Sequence, residues 1–216
     1  MTSPLSPRLL RGGLILLDAE SGAVLKIIAL QYNPDSVSRS FQVKGTGQEG
    51  GDRTEALRLK GPAVETIKVE CEIDATDQLE VADSLTTHLG IQPQLATLEL
   101  LVHPTSQQLL RNAALARRGE LEIVPMQAPL TLWVWGRSRV APVRVTEFSI
   151  TEEAFDPALN PIRAKVSLGL RVLSVDDLGF QHKGGNVFLS YLAKKEQLAT
   201  HAASATFGTL GLTGIP

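Results

Sequence analysis

PLTLWVWGRSRVAPVRVTEFSITEEAFDPALNPIRAKVSLGLRVLS, residues 129–174, declares its structure most plainly in its last third. There Ile162, Ala164, Val166, Leu168, Leu170 and Val172 alternate without a break with Arg163, Lys165, Ser167 and Arg171. A period of two with one apolar and one polar set is the mark of a strand with one buried and one wet face. Just before it, EAFDPALNPI is rich in turn residues. VAPVRVTEFSITEE alternates too, but its phase changes between Val145 and Phe148, as a β-bulge requires. Gly136-Arg137-Ser138-Arg139 supplies a hairpin turn. The opening PLTLWVWG sets Leu130, Leu132 and Val134 on one face and Trp133 and Trp135 on the other, a strand expected to be covered on both sides. The block reads as a three-strand antiparallel meander.

The same reasoning extends outward. GLILLDAESGAVLKIIALQYN is a hairpin around Ala19–Gly22, ended by Asn33-Pro34-Asp35. In ETIKVECEID, Ile67, Val69, Cys71 and Ile73 alternate with Thr66, Lys68, Glu70 and Glu72, a further half-buried strand. The period then lengthens. Ile91, Leu95, Leu98 and Val102 fall at helical spacing, with Pro93 in the first turn, which predicts a helix packed on the sheet. Thr105 and Gln108 make a capping box for a second helix, stopped by Arg117, Arg118 and Gly119. Near the C-terminus, Phe188, Tyr191, Leu192 and Leu198 lie close to one helical face, and ATFGTLGLTGIP follows as a glycine-rich tail with no local means of holding itself in place. The expected fold is mainly β with flanking helices (α+β): a barrel or sandwich over residues 1–178, and a helix and docking tail over 179–216.

The 216 residues, 43% of them hydrophobic, suffice for a real core. Acidic and basic residues nearly cancel, with a formal charge of −2. That balance points to no nucleic acid as partner, and no apolar run is long enough for membrane insertion. The N-terminal apolar stretch is interrupted by Arg11 and reads as no signal peptide, so synthesis in the cytoplasm is expected. Cys71 is the single cysteine. It excludes an internal disulfide and, at an inward strand position, reads as a small hydrophobe of the core.

Gly45, Gly47 and Gly50 in KGTGQEGGDR match G-x-G-x-x-G. A dinucleotide site needs a buried strand before the glycines and a helix after them. SVSRSFQVK before them is polar on every second residue, and GDRTEALRLKGP after them has no apolar helical stripe. The pattern reads as a solvated loop that needs to bend. His88, His103, His182 and His201 hold no metal spacing. Glu152-Glu153 and Asp176-Asp177 are adjacent pairs expected on solvated rims. Asp74, Asp77, Glu80 and Asp83 crowd a strand-to-helix junction without the spacing of a calcium loop. Catalytic, metal-binding and cofactor-binding residues are therefore none, and no enzyme is expected. A chain with a flexible loop and a tail in need of a partner has the features of an assembly subunit.

QYNPDSVSRSF, containing Tyr32 and ending at Phe41, KGPAVETIKVECEIDATDQLE from Lys60 to Glu80, HPTSQQLL from His103, and the opening block from Pro129 to Ser174 resemble the tube-like proteins of contractile injection systems. The resemblance covers about Leu14 to Leu173. Members of that family sit in the baseplate of phage tail-like particles. The resemblance implies a tail-tube-like β-barrel or sandwich that assembles as a six-fold ring, a structural subunit linking the VgrG-like spike to the inner tube and initiating tube assembly. Its implied partners are itself, the inner tube protein, the spike and other baseplate subunits, in a bacterial particle released or anchored. Many relatives carry a C-terminal LysM module; the residues after the match here lack its length and pattern, and cell-wall binding is not carried over. The alternative within the class is the polymerising inner tube protein; outside it, a nucleotide- or carbohydrate-binding protein, the last on exposed Trp133 and Trp135. The subunit interface is assigned to the loop residues Gly45, Gly47, Gly50, Gly51, Asp52 and Arg53.

Overall fold

Alternation of period two recurs along most of the chain, and the computed structural model, which describes residues 9–45, 57–119 and 128–215, pairs these segments into one antiparallel sheet. The strands are β1 (Gly13–Leu17), β2 (Val24–Ala29), β3 (Val37–Gln42), β4 (Val64–Asp74), β5 (Leu130–Val134), β6 (Val140–Phe155) and β7 (Pro161–Val172). Their order is β2-β1-β5-β6-β7-β4-β3. β1 and β2 form the opening hairpin, and β5, β6 and β7 the expected meander.

β6 belongs to both halves of this sheet. Its residues 140–143 pair with β5, and residues 143–155 pair with β7. The register slips between Val145 and Glu147, where the alternation changes phase, just beyond the last β5 pair. A bulge bends its strand and raises the local twist. β2 and β4 stand five strand spacings apart, about 24 Å in a flat sheet. Yet the Gln31 amide, two residues after β2, donates to Asp74 O (2.6 Å) and accepts from Asp74 N (3.0 Å) at the end of β4. The sheet is therefore rolled, with its apolar face inside. It stays open between β2 and β3, which form its two edges.

The main core lies inside the roll: Leu14, Ile67, Val69, Cys71, Trp133, Val143, Val166, Leu168 and Leu170 are all buried in it. Leu132 points the other way, into a second cluster with Leu17 and Leu130, so β5 is covered on both sides as its pattern predicts. The Trp133 and Trp135 rings stack at 5.6 Å with Trp133 buried, so these two tryptophans do not form an exposed pair.

Among the described residues six α-helices flank the roll: α1 (Thr76–Glu80), α2 (Ser84–Leu89), α3 (Gln92–Glu99), α4 (Ser106–Arg117), α5 (Val175–Leu178) and α6 (Lys183–Ala199), with a short 3-10 turn at Phe207–Leu210. Leu95 and Leu98 of α3 enter the main core, but the helix ends at Glu99 and leaves Val102 exposed. The α4 capping box is made as expected, with Gln108 N donating to Thr105 Oγ1 at 3.2 Å. The last helix departs from the sequence reading. It starts earlier, capped by His182, whose Nδ1 accepts from Gly184 N at 3.0 Å. Its buried face is Gly184, Gly185, Phe188 and Tyr191, while Leu192 and Leu198 turn outward. The two glycines allow close approach to α5: a Cβ on Gly185 would lie 2.1 Å from Gly179 O.

Candidate functional site

Because β4, β7 and the second half of β6 turn their apolar side chains inward, their other face carries most of the polar residues of the alternation, Glu65 being an inward exception. Cross-strand register sets opposite charges against each other there. Lys68 Nζ lies 3.0 Å from Glu147, Lys165 Nζ 2.9 Å from Glu153, and Arg163 Nε 2.6 Å from Asp74 and 3.4 Å from Glu72. Such exposed pairs are screened by solvent and add little to stability. Their effect is a broad face whose charges cancel locally. Asp74 also accepts from Thr76, and that hydrogen bond, with Arg163 behind it, holds its carboxyl below the usual carboxylate range.

Both sides of this face end in open backbone. β3 is the sheet's edge beside β4. On the other side β6 has no strand partner toward β5 beyond residue 143, among the described residues. Four strands, β6-β7-β4-β3, thus present one polar face between two unpaired edges.

Glu65, at the start of β4 and only 4% exposed, ties α6 to the β3 side of the roll. Its carboxylate accepts from Tyr191 Oη (2.9 and 3.1 Å), Lys195 Nζ (2.7 Å) and Arg39 (3.4 Å). Lys195 Nζ also sits 4.1 Å from the Tyr191 ring centroid and 5.2 Å from that of Phe41 on β3. Only the alternation of Val64–Asp74 hints at this site: Glu65 falls on the inward parity of Ile67, Val69, Cys71 and Ile73, while its partners Tyr191 and Lys195 are more than a hundred residues away.

Of the loop residues assigned to an interface, Gly45 is described, and Gly47, Gly50, Gly51, Asp52 and Arg53 lie outside the described residues. Gly45 bridges Leu59, Lys60 N donates to Lys44 O (2.8 Å), and Lys44 Nζ is 2.8 Å from Asp176. From Leu57 the chain runs into β4 without a helix, so the helical half of a dinucleotide site is not formed there.

Other candidate groups have structural partners. His88 Nδ1 lies 2.6 Å from Ser84 O, and His182 caps α6. The Asp177 carboxyl is no solvated rim: partial burial pushes it up, but Ser174 N–H and Arg171 outweigh this and hold it low. Burial pushes the Cys71 thiol up to about 11, which suits a core side chain and not a nucleophile. Among the described residues no three His, Cys, Asp or Glu side chains are grouped to hold a metal ion, and no helix is long and apolar enough to cross a membrane.

Neither a scan against protein-family models nor a search of curated proteins finds a match to this chain.

Proposed function

We propose that the chain is a non-enzymatic structural subunit of a contractile injection system baseplate, forming a ring between the VgrG-like spike and the inner tube and starting tube assembly. The observation that carries this reading is the four-strand polar face left open at both edges. Repeating such a unit side by side joins the free edge of β6 in one copy to the free edge of β3 in the next. This is a heterologous contact, and rotation closes it into a ring. The tail-tube-like architecture implied by the resemblance fits a rolled antiparallel sheet with flanking helices. In this reading the charge-balanced face lines the channel, offering a passing cargo no strong field of either sign.

The test is to sediment native cell lysate, image the high-mass fraction by electron microscopy and quantify this protein against sheath and tube by mass spectrometry. About six copies in each rod-shaped particle are expected for a single ring. Copy numbers equal to those of the tube make it the inner tube protein, and particles that sediment without it overturn the structural reading.

A further inference from the structure

The ring reading leaves two apolar surfaces without a role. One is β2: Val24, Leu25 and Ile27 are 60%, 56% and 66% exposed on an edge strand. Natural edges are guarded by charge, most often lysine. The lysine of β2, Lys26, is instead drawn aside to Thr97 Oγ1 at 3.0 Å. Leu25 shares a cleft of about 570 Å³ with Leu100, itself exposed. The other surface is the tail. Phe207, Leu210, Leu212 and Ile215 are exposed, no residue from 202 to 215 is charged, and its hydrogen bonds are local, such as Leu212 N to Phe207 O (2.9 Å).

α6 fixes where these surfaces lie. Lys183 at its start donates to Gly22 O (2.7 Å) in the β1–β2 turn, and Lys195 near its end reaches Glu65 beside β3. Seventeen helical residues span about 25 Å. The tail therefore leaves from the β3 side, and its own β2 lies back along the whole of α6. Donor and acceptor at opposite edges of one subunit are the arrangement of a head-to-tail contact between copies.

We infer that residues 206–215 of one copy pack on the β2 strip of a second copy of this chain. Uncharged, with Phe207 and Leu210 on a 3-10 turn (Phe207–Leu210) and Leu212 and Ile215 beyond it, the segment offers apolar side chains to match the exposed Val24, Leu25 and Ile27. Specific interfaces bury about 1,200–2,000 Å², so a patch this small acts as one part of a larger contact. The inference needs only a second copy and does not depend on the ring.

The full-length chain tests it by disulfide trapping. Ile27→Cys and Leu210→Cys are placed in separate chains, which are mixed and oxidised; buried Cys71 stays out of the reaction. The expected product is a mixed dimer, in yield on the order of tenfold above a control pairing Leu210→Cys with Leu159→Cys, because docking raises local concentration. A chain carrying both cysteines should give a ladder of multimers. A second readout is truncation after Ala202, which removes no buried residue and should lower the sedimentation coefficient at equal circular dichroism. Yield at control level, dominant Ile27→Cys homodimers, or an intrachain disulfide would each overturn the inference. Rings that persist in the truncated chain without cross-links sink the tail contact alone; cross-linked open chains without rings uphold it and sink the ring.

Discussion

Replacing Lys195 by alanine is expected to cost far more than the exposure of its side chain suggests. Lys195 is 33% exposed, and an exposed pair of that kind contributes at most about 1 kcal/mol. Its partner decides the outcome. Glu65 is 4% exposed, and the substitution deprives its carboxylate of the donor at 2.7 Å. Removing one partner of a fully buried pair costs about 3–5 kcal/mol. Here Tyr191 and, at 3.4 Å, Arg39 remain and keep the carboxylate partly satisfied, so the loss lies between the exposed-pair and buried-pair figures. A net loss of about 2 kcal/mol follows. For a chain of this size each kcal/mol moves Tm by about 2–4 °C, so Tm should fall by about 4–8 °C. Calorimetry with urea unfolding measures it, and a double-mutant cycle with Glu65→Gln should return a coupling of about 1–2 kcal/mol. The loss should persist at high salt, which screens exposed pairs but hardly touches buried ones. A Tm drop under about 1 °C, or one that disappears with salt, would mean that the carboxylate is hydrated, and the argument that Glu65 clamps α6 to the sheet would fail.

Three further outcomes follow from the core and its ends. Cys71 should resist thiol reagents in the native state and label at the rate of unfolding, read by mass spectrometry against urea; fast native labelling would contradict its burial. The Asp74 carboxyl is lowered in the folded state, first by Thr76 and then by Arg163, so its stabilisation is present above its unfolded value of about 3.9 and is lost as pH falls through its folded value. Tm measured down to about pH 3 should therefore fall less steeply in Asp74→Asn than in the parent. Gly185→Ala places a Cβ 2.1 Å from Gly179 O and should cost about 1–3 kcal/mol by forcing α6 off α5; an unchanged Tm would show that the two helices separate freely.

Most of the sheet was legible because alternation is local. Ala164, Val166, Leu168, Leu170 and Val172 all face the core, and the phase slip between Val145 and Phe148 falls on the structure's register shift at Val145/Glu147. The capping box at Thr105 was legible for the same reason, since its two partners lie three residues apart. The start of α6 was not. Gly184 and Gly185 look like helix breakers by propensity, and only close approach to Leu178 and Gly179 turns them into a docking face. Glu65 was hidden by distance: nothing near it in sequence announces Tyr191 or Lys195.

The candidate interface was less legible than the fold, for a physical reason. Alternation reports which side chains avoid water in the subunit, and a wet face has the same pattern whether it meets solvent or a second copy. Lys68, Glu147, Lys165 and Glu153 would appear polar in either setting. Edges leave a fainter mark still, because the groups that pair there are backbone N–H and C=O, common to every residue. β2 is the exception. A strand reading Val-Leu-Lys-Ile-Ile-Ala that leaves three large apolar side chains exposed has a single lysine to keep other edges apart, and that lysine is bonded to Thr97. An edge so unguarded is a liability for a lone chain and an asset for one that is met by a neighbour.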